Sequence, residues 1–166
     1  MPFHLAQVNI GRARGEPTDP IMSGFMAQLD EINAIADRTP GFVWRLQTDD
    51  GNATALRPYG DDNRILINMS VWAGLDALRT YVYQSPHAAV MRRRREWFEA
   101  FERVYVALWW VPAGHRPSIA EAVERLAHLE QHGATPYAFT FAQPFDPDGL
   151  PIVRAKDAFE DRCGVA

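Results

Sequence analysis

Apolar and polar residues alternate from His4 to Ile10, with Leu5, Gln7 and Asn9 on one side and Ala6, Val8 and Ile10 on the other. That period of two predicts a first strand. The repeat then lengthens. Asp19-Pro20 has the form of a helix cap followed by proline in the first turn, and Ile21, Phe25, Leu29, Ile32 and Ala36 recur at helical spacing until Thr39-Pro40-Gly41. Phe42 to Gln47 and Ile65 to Trp72 read as two further strands, joined by a turn-rich insertion holding Asp50-Gly51 and Asp61-Asp62-Asn63. A short helix over Leu75 to Tyr83 precedes Ser85-Pro86, a second cap-and-proline start, which predicts a long helix to about Glu102. Val104 to Val111 is a tryptophan-rich strand, Ser118 to His132 a helix, and Tyr137 to Phe141 a candidate fifth strand. The domain is expected over 1–144, with a tail over 145–166.

The order strand, helix, two strands, helix, strand is that of a ferredoxin-like split βαβ unit, an α+β fold with an antiparallel sheet. Such a unit covers one sheet face with helices and leaves the other to be buried elsewhere, which predicts a homodimer, a dimeric α/β barrel. On the third strand Ile65, Ile67, Met69 and Val71 form an apolar face suited to the helices, whereas Leu66, Asn68, Ser70 and Trp72 form a mixed one. Gln7 and Asn9 are therefore expected to join Asn68, Ser70 and Trp72 on the side away from the helices, around a cavity where amides could orient a small organic ligand.

Composition narrows the partners. With 166 residues, 47% of them hydrophobic, the chain suffices for one domain, and a net charge of -4 offers no field for a phosphate backbone, so nucleic acid is not expected. The single Cys163 cannot form an internal disulfide or a thiolate metal site, there is no basic leader, and no segment is long enough to span a bilayer. A cytoplasmic protein without membrane attachment is the expectation.

The most unusual stretch is Arg92-Arg93-Arg94-Arg95. Projected as a helix, Val90, Met91, Trp97, Phe98 and Phe101 define an apolar stripe that includes His87 and Arg94, while Arg92 points nearly the opposite way. Arg94 then needs either a carboxylate or an anionic ligand. His87 could exchange a proton, although a packing or capping role is the commoner one. Trp72 and Trp97 could sandwich a planar ligand or simply fill the core. His128 and His132 stand one turn apart without the glutamate of a metalloprotease motif, and His115-Arg116 lies in a proline-bounded loop. Neither a Gly-x-Ser-x-Gly elbow nor a nucleotide-binding glycine fingerprint is present, so no covalent nucleophile, metal or bound cofactor is expected.

Leu5 to Ile10, Gly41 to Leu46, Asn68 to Trp72, His87 to Phe98 and Trp109 to Pro117 together resemble the DUF3291 family, which belongs to the dimeric α/β-barrel superfamily and has no settled function. Within that superfamily the antibiotic-biosynthesis monooxygenases oxidise polycyclic phenols with dioxygen alone. Asn68, Trp72 and Arg92 fall at the spacing of the asparagine, tryptophan and arginine of those enzymes, but Leu78 replaces their tyrosine. The resemblance implies a cofactor-independent enzyme for a planar phenolic or enolic substrate. In that picture Gln7, Asn9 and Asn68 orient the ligand, Trp72 and Trp97 sandwich it, and Arg94 or His87 stabilises its anion. Two alternatives remain open: a sensor or carrier without turnover, and a haem protein, for which Asn9 would match but His87 lies too early and Tyr81 stands near the expected tryptophan.

Overall fold

The computed structural model describes residues 2–60 and 62–153. Met1, Asp61 and 154–166, including Cys163, lie outside the described residues. Four antiparallel strands, β1 (Phe3–Arg12), β2 (Phe42–Arg45), β3 (Ile65–Trp72) and β4 (Val106–Pro112), form one sheet in the order β2-β3-β1-β4. Between them run α1 (Ser23–Arg38), α2 (Leu75–Gln84) and α3 (His87–Arg92), and α4 (Ile119–His132) follows β4. The order is that of the ferredoxin-like unit. No helix among the described residues is long and apolar enough to cross a membrane.

Local chemistry places the boundaries. The Asp19 carboxylate accepts from the Ile21 N–H at 3.1 Å, starting a 3-10 turn (Pro20–Met22) that leads into α1. Gly41, at φ +87°, turns the chain into β2, and a Cβ there would stand 2.5 Å from that of Ala77. Only glycine meets both conditions. The Ser118 hydroxyl caps α4 by accepting from the Glu121 N–H at 3.1 Å.

The two sheet faces are covered in the opposite sense to the expectation. Ala36 of α1 and Leu75, Leu78 and Tyr81 of α2 pack with Leu5, Trp72 and Leu108, so the helices between the strands cover the mixed face. The apolar face, with Ala6, Val8, Met69 and Val71 at no more than 1% exposure, is buried by Ala122, Leu126 and Leu129 of α4 and flanked by Leu46, Leu56 and Tyr59. Periodicity assigns residues to a face but does not say which element lands on it. The mixed face, expected to be bare, is thus covered by α1 and α2, and the apolar face by the chain's own α4.

Three other expectations are corrected. The helix from Ser85 stops at Arg92, because the backbone beyond it pairs with an extension of β1. Arg14 N–H donates to the Trp97 carbonyl at 2.7 Å and Glu99 N–H to that of Arg12 at 2.9 Å. The fifth strand is a single bridge between Leu108 and Phe139. The start of the expected tail folds back: the Trp110 indole donates to the Phe145 carbonyl at 2.8 Å, and Ile152 packs against the core on the mixed face.

Candidate functional site

A partly open cavity of about 170 Å³ lies between the mixed face of the sheet and α1, α2 and α3. Its floor comes from the register of β1 and β3, which sets Gln7 opposite Ser70 and Asn9 opposite Asn68. With a period of two, these four side chains share one face. Gln7 Nε2 donates to Asn68 Oδ1 at 2.9 Å and to Ser70 Oγ at 3.0 Å, and Asn9 Nδ2 reaches Gln7 Oε1 at 3.4 Å. Gln7 and Ser70 are thereby satisfied in the interior. Asn68 is the one exposed position of β3, because its side chain opens into the cavity. Its Nδ2 and Asn9 Oδ1 have no protein partner among the described residues and remain for a ligand.

The roof and walls are mostly apolar. Phe25, Leu29 and Ile32 come down from α1, and Val82, Val90 and Met91 close the α2 and α3 side. Asn33 also reaches the cavity from α1. The sequence reading passed over it, although Phe25, Leu29, Asn33 and Ala36 keep the spacing of the stripe, and a polar residue in that stripe was the available signal.

Arg94 lies in a 3-10 turn (Arg94–Glu96) just beyond α3, half-buried in the cavity wall. Its guanidinium lies 4.9 Å from the centre of the Tyr105 ring, and among the described residues no carboxylate is within ion-pair distance of it. The neighbouring arginines are engaged or turned away: Arg93 pairs with Glu96 at 2.9 Å and lies over Trp97, while Arg92 and Arg95 are exposed and do not border the cavity. Arg45 also lines it, but Asp37 and the Gly51 carbonyl hold its guanidinium at 2.8 and 2.7 Å. No aspartate or glutamate among the described residues lines the cavity. The site therefore presents an unneutralised cation and amides, which favours an anionic or electron-rich ligand.

His87 borders the cavity beneath Tyr81, with ring centroids 4.8 Å apart and Nδ1 3.5 Å from the Val82 carbonyl. Burial lowers its pKa from 6.5 to about 4, outweighing the upward pull of that carbonyl. At neutral pH it is an uncharged imidazole and a weak base. Burial likewise raises the phenol of Tyr81, which stays protonated. The lining can stabilise an anion much better than it can generate one.

Trp72 and Trp97, expected to sandwich a ligand, do not border the cavity. Trp72 is fully buried, stacked on Tyr81 at 5.0 Å, and donates its indole N–H to Ser70 Oγ at 2.8 Å. Trp97 fills the space beneath Phe25. They are core residues because α2 and the segment after α3 cover the positions that were expected to be open. His115 binds Glu121 at 2.8 Å, and His128 bonds Thr135, both away from the cavity. No cluster of metal-ligating side chains occurs among the described residues.

A haem does not suit these residues. A cavity of about 170 Å³ is smaller than the several hundred Å³ typical of pockets for drug-sized ligands.

Fold and site define a ferredoxin-like α+β domain with an amide-floored, arginine-walled cavity between its sheet and its helices. The chain belongs to the family described as domain of unknown function (DUF3291), whose model matches residues 4–155. No protein of curated function matches it. Among solved structures it is similar to SnoaB, a cofactor-independent oxygenase from Streptomyces nogalater, with 19% identity over 70% of this chain and 97% of that one, at a TM-score of 0.42. It is also similar to Rv0793 from Mycobacterium tuberculosis, with 18% identity over 69% and 99% and a TM-score of 0.42. A protein of unknown function from Nitrosomonas europaea, NE2512, shares 13% identity over 70% and 97%, with a TM-score of 0.43. At such distances the site must be read from its own geometry.

Proposed function

We propose that this chain is a small-molecule enzyme that binds a one-ring phenol or enol as its anion and leaves the electron-rich ring open to dioxygen, without a bound cofactor. The observation that carries this reading is Arg94, a cation in the cavity wall with no carboxylate in reach among the described residues and no acidic neighbour in the lining. Size sets the ring count. A cavity of about 150 Å³ holds a benzene, so 170 Å³ admits one substituted ring rather than a polycycle. Asn9 and Asn68 orient the ring oxygen, and Arg94 favours its ionised form. Addition of dioxygen to the anion and loss of water from the hydroperoxide convert a phenol and dioxygen into a quinone and water, so atoms and electrons balance within the two reactants.

The apolar sheet face is covered by the chain's own α4. A homodimer would have to use a surface other than the apolar sheet face.

The second reading, a sensor or carrier that binds the anion unchanged, is favoured by one observation: His87, pulled down to about 4, is a poor proton acceptor at neutral pH. Oxygen uptake with hydroxylated benzenes and cyclic diketones, followed by mass analysis of the recovered ligand, separates the two. Uptake that an Asn68→Ala, Arg94→Ala double variant abolishes supports turnover. Binding with quantitative recovery of unaltered ligand supports the carrier, and uptake that the double variant retains sinks the proposed site.

A further inference from the structure

Among the described residues, three polar ones are buried to 8% exposure or less: Gln7, Ser70 and Asn33. Gln7 and Ser70 satisfy each other within the floor. Asn33 does not follow them. Its amide has no hydrogen-bond partner among the described residues, and it faces the cavity from α1. Other polar side chains of this helical region find backbone acceptors one turn back, Gln28 on the Gly24 carbonyl and Thr39 on that of Ile35, both at 2.8 Å. Asn33 makes no such bond. Its polar atoms open onto the cavity, so a ligand that fills the cavity must replace the hydrogen bonds they make to water or leave the amide stranded.

We infer that Asn33 is a specificity-determining residue that recognises a second oxygen function on the ligand, so that the cavity takes a monocyclic anion bearing a further hydroxyl or carbonyl group. This rests on the reading that Arg94 holds the anion. The amide offers a donor and an acceptor, and so accommodates either function. It stands on the roof, whereas Asn9 and Asn68 stand on the floor and Arg94 in the wall. A ring with a single polar edge would leave one of these sets unpaired. A site built to bond a hydroxyl discriminates against the analogue lacking it, because its own buried group is then stranded.

The test uses benzoate and the 2-, 3- and 4-hydroxybenzoates, inert carboxylate analogues, titrated calorimetrically into the wild-type chain and Asn33→Leu, with the melting temperature of each ligand-free protein. At least one hydroxybenzoate should bind the wild type roughly tenfold more tightly than benzoate. Asn33→Leu should abolish that gain while still showing a cooperative melting transition. A hydroxyl gain that survives the substitution, or a wild type that does not distinguish the four acids, overturns the inference while leaving the Arg94 reading standing. Failure of benzoate itself to bind the wild type removes both.

Discussion

Trp72 stacks on Tyr81 at 5.0 Å with the ring planes 25° apart, and its indole N–H is spent on Ser70. A tryptophan so engaged supports the cavity floor instead of touching a ligand. Trp72→Phe should therefore destabilise the fold by about 2 kcal/mol through the lost hydrogen bond and reduced packing. Affinity for a ring anion should change by less than about twofold, against a tenfold loss for a contact residue. Urea unfolding and calorimetric titration of the same variant read both effects.

His87 makes stability depend on pH in a defined direction. Its folded pKa, about 4, lies below the ordinary 6.5, so the unfolded chain takes up the proton first as pH falls. The contribution is present above pH 6.5, is lost as pH falls from 6.5 towards 4, and amounts to at most about 3 kcal/mol. His87→Leu should flatten the urea midpoint across that window relative to the wild type. Identical slopes in the two proteins would show that the imidazole is not held neutral.

Leu126, 3% exposed, seats α4 on the apolar sheet face. Leu126→Ala should cost about 2–4 kcal/mol. A chain ending before α4 should self-associate on size-exclusion chromatography, since Val8, Met69 and Val71 would lose their cover. A truncated chain that stays monomeric and soluble would mean that α4 is not what buries that face.

The strands were legible because their alternation is clean: β3 begins and ends at the predicted residues, and the division of β1 and β3 into apolar and mixed faces is the observed one. Which helices cover which face was not legible, since both α1 and α4 carry an apolar stripe and the sequence does not rank them. Arg94 was placed at the cavity by projecting a helix that in fact ends at Arg92. The projection held because the following 3-10 turn keeps the chain winding in the same sense. Long-range backbone pairing, such as Arg14 to Trp97, ends that helix and leaves no local trace. Asn33 escaped notice because one amide in an apolar stripe resembles tolerated noise until its lack of a partner is seen.

Anion recognition by Arg94 is tested most directly with 4-nitrophenol, whose ionised form alone absorbs visible light. Titrating pH at saturating protein should give a bound pKa at least about one unit below the free value, corresponding to about 1.4 kcal/mol of preference for the anion. Arg94→Gln should return it to the free value while the probe still binds. A bound pKa equal to or above the free one in the wild type, or a lowered pKa that persists in Arg94→Gln, would contradict an anion-binding cavity walled by this arginine.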